Sequence, residues 1–288
     1  GDKAYLQELI SNVNSTPPLT DTQKSPRVVL CALRHDLAQI EMPEDVQAAE
    51  QCDSAPHVGV QARPRACVAD RQFLCCVVRL ATEKEPHRFV ELIAELQARG
   101  SLKRHGLVPL LVGSSTDAYA EDIKSRLQEV APDSIVLTEF MTGKQLALQV
   151  YRRARLNFHP PQYDAFGMTV VEAASQGCPS VVHAGSSQGT VGALDLLCGA
   201  NEAFSMDYST GISSLADKVE AVLEDPEKIQ VVGAAAASKA RGWTEILNAR
   251  ALMEPIPETL AAWHKLKGRD NMCGCNWTMC KLISMLMI

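Results

Sequence analysis

Short apolar runs alternate along this chain with stretches in which apolar residues recur every three or four positions. The apolar runs predict strands at Arg27–Leu33, Gln72–Arg79, Leu107–Val112, Ser134–Thr138, Leu156–Phe158, Pro179–His183 and Ala203–Met206. Several of these runs are apolar throughout, which is typical of strands in a parallel sheet that is covered on both faces. Helices between successive strands would provide the crossovers. The alternation therefore predicts a doubly wound α/β domain with a parallel, Rossmann-like sheet.

The predicted helices end at recognisable stop signals. Phe89, Val90, Ile93 and Leu96 form one apolar stripe that stops before Gly100, and glycine adopts the left-handed conformation that closes many helices. Comparable stripes begin at Tyr119, Leu146 and Leu215, and residues 227–265 are also predicted to be helical.

The composition is typical of a soluble globular protein, with 288 residues, of which 46% are hydrophobic and 22% are charged. The formal net charge of -6 argues against a nucleic-acid partner, because such proteins normally carry a basic face. No run of about 20 apolar residues occurs, so no transmembrane segment is expected. The ten cysteines include no C-x-x-C pair and mostly lie in apolar runs. This pattern indicates reduced thiols in a cytoplasmic protein and no metal site.

The segment 163–179 holds the densest set of candidate binding residues. Asp164 and Glu172 are separated by a Phe166-Gly167 pair, which predicts a tight loop before a helix that starts at about Met168. The unpaired N–H groups and the dipole of a helix N-terminus favour an anion such as a phosphate. An anion seat between two carboxylates that accept hydroxyl groups suits a sugar attached to a nucleotide diphosphate.

Two cations follow the strand predicted at Gln72–Arg79. Arg79 and Lys84 lie at the carboxyl end of that strand, where α/β sheets bind their ligands. Fixed cations there would stabilise the charge that develops on a departing diphosphate. The alternative for both is a solvated surface charge, which is the usual state of such residues. Gly113 follows another predicted strand, in a turn where the backbone could approach a ligand closely.

Four blocks of the sequence resemble glycosyltransferase family 4, within the GT-B architecture, over about residues 65–245. The blocks are Val78–Lys84, Leu110–Gly113, Val136–Phe140, and Asp164–Glu172 followed by Gly177–Val182. The resemblance implies transfer of a hexose from a nucleotide-diphosphate sugar to an acceptor hydroxyl, with retention of anomeric configuration. It also implies that no metal or other cofactor is needed, and no Asp-x-Asp pair occurs in the sequence. The expected partners are a nucleotide sugar and an acceptor glycan, lipid-linked sugar or small molecule, in the cytoplasm or at the cytosolic face of a membrane.

The same resemblance implies roles for individual residues. Arg79 and Lys84 would grip the donor diphosphate, and Asp164 would contact the transferred sugar. Glu172 would hold the ribose hydroxyl groups, and the loop Thr138–Phe140 would border the base. The remaining positions expected to bind the donor are Gly113, Phe140, Ala165, Phe166, Gly167, Met168 and Thr169.

Three positions depart from the pattern of that family. Asp164 stands where the family usually has Glu, and its side chain is one methylene shorter. Val78 replaces a usual Gly, and Glu85 occupies a position where Gly or Asn is frequent. Because its side chain is shorter, Asp164 is expected to reach less far towards the sugar.

The domain boundaries also follow from the resemblance. Residues 1–64 are too few for the complete acceptor-binding domain that comes first in a GT-B enzyme, so they are expected to be a remnant of that domain and a linker. Residues 65–225 are expected to form the nucleotide-sugar-binding domain, 226–268 the closing helices and 269–288 a tail of unassigned structure. Trp243 resembles the tryptophan of the helix that crosses back to the partner domain. As the donor half of a larger enzyme, the isolated chain is expected to be inactive.

Two alternatives stay open. Gly185–Gly189 fits the G-x-S-x-G pattern of a nucleophile elbow, and an α/β hydrolase would use Ser187 with Asp195 or Asp207 and His264. No oxyanion-hole motif accompanies that pattern. The second alternative is a non-catalytic module that binds nucleotide sugars. Binding of NAD is not expected, because no G-x-G-x-x-G motif occurs.

Overall fold

The strands form one parallel sheet. The structure, a computed structural model, describes residues 32–44, 46–47, 71–185, 190–199 and 201–253, without the side chains of residues 252 and 253. The strands in these ranges are Phe73–Val77 (β1), Val108–Val112 (β2), Ile135–Leu137 (β3), Ala154–Phe158 (β4), Ser180–His183 (β5) and Phe204–Met206 (β6). Their order is β3-β2-β1-β4-β5-β6, and every pairing is parallel. This order reverses direction between β1 and β4, as in the doubly wound fold that the sequence predicts, so the predicted fold class is confirmed.

Helices connect the strands and cover both faces of the sheet. They span His35–Ala38 (α1), His87–Ala98 (α2), Ser101–Arg104 (α3), Ala118–Val130 (α4), Gly143–Gln145 (α5), Met168–Ala174 (α6), Ala193–Leu196 (α7), Ile212–Leu223 (α8), Pro226–Arg241 (α9) and Glu245–Met253 (α10). The predicted stripes at Phe89, Tyr119 and Leu215 correspond to α2, α4 and α8. None of the helices in the described ranges has the length and apolar character that crossing a membrane requires.

The stripe at Leu146 and Val150 is not a plain α-helix. After α5, the chain continues as a π-turn over Leu146–Val150 and a 3₁₀ turn over Tyr151–Arg153. The changed winding leaves the consecutive side chains of Val150 and Tyr151 fully buried against β1 and β2. Packing of these two residues therefore overrides the regular helical spacing that the sequence predicts.

The two faces of β1 show how the core is divided. Leu74 and Cys76 pack against α2 and α8 on one face, whereas Cys75 belongs to the cluster on the other face with Tyr151. Both thiols are buried and free, and burial raises their pKa values. They behave as small apolar side chains on opposite faces of one strand.

A front segment, residues 32–44 and 46–47, packs against the last helices of the described chain. Leu33 forms an isolated parallel bridge to Thr244, and the Arg241 guanidinium donates to the Ala38 carbonyl at 2.9 Å. Of the strand predicted at Arg27–Leu33, only the last two residues are described, and this bridge lies outside the six-stranded sheet. The predicted helices of residues 227–265 are α9 and α10 as far as Met253. The rest of them and the predicted tail lie outside the described residues.

Candidate functional site

The site lies at the carboxyl edge of the sheet, in the turn between β4 and α6. Gly167 precedes the first residue of α6, Met168, and has a φ of 64°. This left-handed conformation is inexpensive only for glycine. A Cβ at Gly167 would also lie 2.8 Å from Val191 Cγ1. The turn therefore places Asp164 before the helix and Glu172 in its second turn, as the sequence predicts.

Asp164 is paired with a lysine from the loop after β1. Lys84 Nζ lies 2.8 Å from Asp164 Oδ2, and both side chains are partly buried, at 25% and 14% exposed. Asp164 Oδ1 accepts a hydrogen bond from the Phe166 N–H at 3.3 Å. Burial alone would raise the pKa of Asp164, but His159, Lys84 and the Gly167 N–H outweigh it. The pKa lies well below its ordinary value, so the carboxylate is charged at neutral pH.

A second loop fixes the backbone of Asp164. The Asp164 N–H donates to the Thr190 carbonyl at 3.1 Å, and the Gly192 N–H donates to the Asp164 carbonyl at 2.8 Å. Glycine is required at position 192, since a Cβ there would lie 2.1 Å from the Ala165 carbonyl oxygen. The loop at residues 190–192 therefore sets how far Asp164 extends over the sheet edge. No local pattern in the sequence indicates this contact.

His159 lies next to the Lys84–Asp164 ion pair. It is the first residue after β4 and only 2% exposed. Its Nε2 lies 3.4 Å from Asp164 Oδ2, and its Nδ1 lies 3.5 Å from Thr169 Oγ1. Burial lowers the pKa of His159, with partial compensation from Asp164, so the imidazole is neutral at physiological pH. In the sequence, its position at a strand end was the only signal for it.

Glu172 occupies a more apolar environment than Asp164. Burial raises the pKa of Glu172 to about 7, Arg34 opposes the rise and Asp36 adds to it. Arg34 is the N-cap residue of α1, and Asp36 lies in its first turn. Within the described ranges, no side chain donates a hydrogen bond to the Glu172 carboxylate.

Arg79 and Lys84 differ in their surroundings. Arg79 is 64% exposed, and its guanidinium pairs with Glu83, four residues along the chain. Only Lys84 of the two predicted cations lies against Asp164. Both belong to the loop that follows β1, so Arg79 and Lys84 share the carboxyl edge of the sheet.

Glu85 fixes the loop that carries Lys84. Its φ of 48° is the one positive φ of a non-glycine residue in the described ranges. The Glu85 carboxylate accepts hydrogen bonds from the Gln162 N–H at 2.8 Å and from Arg88 Nε at 3.0 Å. These bonds join the β1 loop to the β4 loop. The glycine or asparagine that the family resemblance would place here fits the same left-handed backbone.

The other predicted positions also lie at this edge. Gly113 directly follows β2, and a Cβ at this position would lie 2.2 Å from the Val78 carbonyl oxygen. Phe140 is 84% exposed in the loop after β3, and Phe166 is 48% exposed beside Asp164. Tyr163, which was not among the predicted positions, is a third exposed aromatic residue there. The loops after β1, β2, β3 and β4, together with the first two turns of α6, thus place every predicted donor-binding residue at one edge of the sheet.

The structure does not test the hydrolase alternative. Ser187 and His264 lie outside the described residues, so the alternative stays as the sequence left it. The described ranges contain no group of three or more His, Cys, Asp or Glu residues arranged to hold a metal ion.

The comparison with protein families gives one match. The family described as glycosyl transferases group 1 matches residues 62–239, which include every predicted donor-binding residue. A search of curated proteins finds no match.

Solved structures share the fold. Sucrose-phosphate synthase from Thermosynechococcus elongatus superimposes with a TM-score of 0.57 at 21% identity, covering 82% of this chain and 53% of that protein. A glycosyltransferase from Rickettsia africae ESF-5 gives 0.56 at 15% identity, covering 81% and 57%. An alpha,alpha-trehalose-phosphate synthase (UDP-forming) from Burkholderia xenovorans, solved with glucose-6-phosphate, gives 0.56 at 15% identity, covering 79% and 50%. The chain spans about half the length of these proteins, and its fold is that of GT-B glycosyltransferases.

Proposed function

We propose, because the chain belongs to the glycosyl transferases group 1 family, that it binds a nucleotide-diphosphate sugar and supplies the donor half of a hexosyltransferase. The observation that carries the proposal is the Lys84–Asp164 pair, which joins the ends of β1 and β4 at 2.8 Å. These are the strands between which the sheet order reverses, and doubly wound sheets bind nucleotides at that point. The narrower assignment to family 4 is part of the proposal.

The cations would bind the diphosphate. Lys84 is a compact charge on a flexible stem, so its ammonium can turn from Asp164 to a phosphate that enters beside it. Arg79 is exposed and pairs with Glu83 of its own loop, and it would complete the contact from the solvent side. Fixed cations stabilise the charge on a departing diphosphate. In this account they take the place of a divalent metal.

The two acids would bind the two sugars of the donor. Asp164 is charged, and its Oδ1 accepts a long hydrogen bond from the Phe166 N–H at 3.3 Å, so it would also accept a hydrogen bond from a hydroxyl of the transferred hexose. The Glu172 carboxylate would accept the ribose hydroxyl groups, and the loop that carries Phe140 would border the base. The Ala165–Thr169 turn and Gly113 would approach the phosphates and the sugar with backbone groups. Retention of anomeric configuration completes the proposal.

The acceptor would come from a second domain. In the proposed organisation, residues 1–64 are a remnant of an acceptor domain and linker, 65–225 the donor domain, 226–268 the closing helices and 269–288 a tail. A glycan, a lipid-linked sugar or a small molecule would be the acceptor, in the cytoplasm or at the cytosolic face of a membrane. The contacts of Leu33 with Thr244 and Trp243 support a closing role for the last helices. The isolated chain would bind the donor without transferring it.

A calorimetric titration with UDP-, GDP- and ADP-glucose in EDTA tests the proposal. We expect one of the three to bind, and binding to fall at least about tenfold in Glu172→Ala, since a lost hydrogen bond to a charged group costs roughly 1.5–3 kcal/mol. Glu121→Ala is the matched control, because Glu121 is an exposed carboxylate on α4 at a distance from the turn. No binding by the unaltered chain would overturn the proposal, and undiminished binding in Glu172→Ala would overturn the ribose assignment.

A non-catalytic binding module is the second candidate, because the residues of the proposed site would all contact the donor. It predicts donor binding without transfer in any longer form of the protein. Transfer restored by a longer form would support the enzyme instead.

A further inference from the structure

We propose that His159 is a positioning residue that holds the Asp164 carboxylate in place when Lys84 turns to the donor diphosphate. The inference rests on the proposed function, in which Asp164 contacts the transferred sugar. It concerns a residue that the family resemblance did not single out.

The backbone of His159 is fixed independently of its ring. Its N–H donates to the Val181 carbonyl at 3.0 Å, and its own carbonyl accepts from the Tyr208 hydroxyl at 2.9 Å. Tyr208 is itself buried and stacks on Phe158. The end of β4 would therefore keep its backbone position with a different ring at residue 159. The imidazole nitrogens are not needed for that position.

The two ring nitrogens face two polar groups of the donor turn. Nδ1 lies 3.5 Å from Thr169 Oγ1 on the first turn of α6, and Nε2 lies 3.4 Å from Asp164 Oδ2. Nε2 is buried and has no hydrogen bond. A buried polar atom without a partner costs free energy, so this arrangement is expected to tighten. Hydrogen bonds at active sites are often long in the empty protein and shorten when the ligand is bound.

The geometry selects one tautomer. A neutral ring with the proton on Nε2 donates to Asp164 Oδ2, while Nδ1 accepts the Thr169 hydroxyl proton. The opposite tautomer would leave a lone pair facing a carboxylate. The hydroxyl of Thr169 would thus orient the ring, and the ring would orient the Asp164 carboxylate.

The role of His159 appears when the ion pair opens. In the empty site, Oδ2 receives the Lys84 ammonium at 2.8 Å. Once Lys84 contacts phosphate, Oδ2 loses its strongest partner, and the His159 N–H is the remaining side-chain donor beside it in the described ranges. Oδ2 then stays fixed to the protein, and Oδ1 stays directed at the sugar. This also explains how a short aspartate keeps a defined position where a longer glutamate is usual.

The His159→Phe variant distinguishes a positioning role of His159 from a purely structural one. Its affinity is measured for a nucleoside diphosphate and for the matching nucleotide sugar. Phenylalanine keeps a ring of similar size and removes both nitrogens. We expect the affinity for the nucleotide sugar to fall roughly tenfold, about the value of one hydrogen bond to a charged group, and that for the diphosphate alone to stay within about twofold. His159→Gln retains an N–H donor and should restore part of the loss. In an Asp164→Asn background, His159→Phe should cause little further loss.

Equal losses for both ligands, or no loss for either, would overturn the inference. If His159→Phe does not fold, nitrogen NMR shifts of His159 in the unaltered chain decide the matter. The Nε2–H tautomer supports the inference, and an Nδ1–H or doubly protonated ring contradicts it. Failure of the proposed function would appear separately, as absence of nucleotide-sugar binding by the unaltered chain.

Discussion

Lys84 Nζ and Asp164 Oδ2 lie 2.8 Å apart although 80 residues separate them in the sequence. The pair joins the loop after β1 to the turn before α6, and both side chains are partly buried. Asp164 is thereby charged and held at the edge of the sheet, and Lys84 is placed where a phosphate would meet it. The proposed donor site is organised around this contact.

Replacing Lys84 should weaken binding of nucleoside diphosphates. Lys84→Ala removes the partly buried ammonium, and we expect a loss of roughly 10- to 100-fold, since charged hydrogen bonds contribute about 1.5–3 kcal/mol. Lys103→Ala is the matched control, because Lys103 is exposed on α3 at the opposite edge of the sheet. Calorimetry with the diphosphate alone measures both variants. Equal affinities in the two variants would show that Lys84 does not contribute to binding of the diphosphate.

Glu172 should make stability depend on pH. Its pKa in the folded chain is raised from 4.5 to about 7, so the folded state holds this proton more tightly than the unfolded state. Its contribution to the free energy of unfolding is complete below about pH 4.5 and is lost as pH rises through about 7, by roughly 1–3 kcal/mol. Glu172→Gln should remove this part of the pH dependence, as chemical denaturation at pH 5 and pH 8 would show. The exposed Glu121→Gln should leave it unchanged, and identical profiles for all three proteins would show that burial of Glu172 has no such effect.

Gly113 should not tolerate a side chain. A Cβ there would lie 2.2 Å from the Val78 carbonyl oxygen and 2.9 Å from Leu80 Cγ, so the backbone after β1 must move. We expect Gly113→Ala to lower the free energy of unfolding by about 1–3 kcal/mol, the usual cost of overpacking. Ser114→Ala, at the exposed neighbouring position, should have little effect. A Gly113→Ala protein as stable as the original would mean that the two loops are further apart than described.

Glu85 offers a measure of backbone strain in the β1 loop. Glu85→Ala loses the bonds to Gln162 and Arg88 and keeps a side chain at a φ of 48°. Glu85→Gly loses the same bonds and relieves the strain, so it should be more stable than Glu85→Ala by about 1 kcal/mol. Thermal unfolding of both variants gives the comparison. An alanine variant at least as stable as the glycine variant would contradict the left-handed conformation.

The sheet could be predicted from the sequence because its strands are short runs of mainly apolar residues and the helix stop signals are local. The strand β4, which buries Arg155 and Asn157, was predicted only over Leu156–Phe158. Because β1 and β4 are adjacent parallel strands, the loops that follow them place Lys84 near Asp164. Contacts between distant segments left no local pattern. The loop at Thr190 that fixes Asp164, and Arg34 and Asp36 beside Glu172, became visible only in the structure. The π-turn at Leu146–Val150 was missed because core packing outweighs the helical period there.

Titration of the chain and of Lys84→Ala with UDP-, GDP- and ADP-glucose, in the presence of EDTA, tests the donor site most directly. The account predicts that one nucleotide sugar binds the unaltered chain without a metal and binds the variant at least about tenfold more weakly. Absence of binding, binding that requires a divalent cation, or binding unaffected by loss of Lys84 would contradict it.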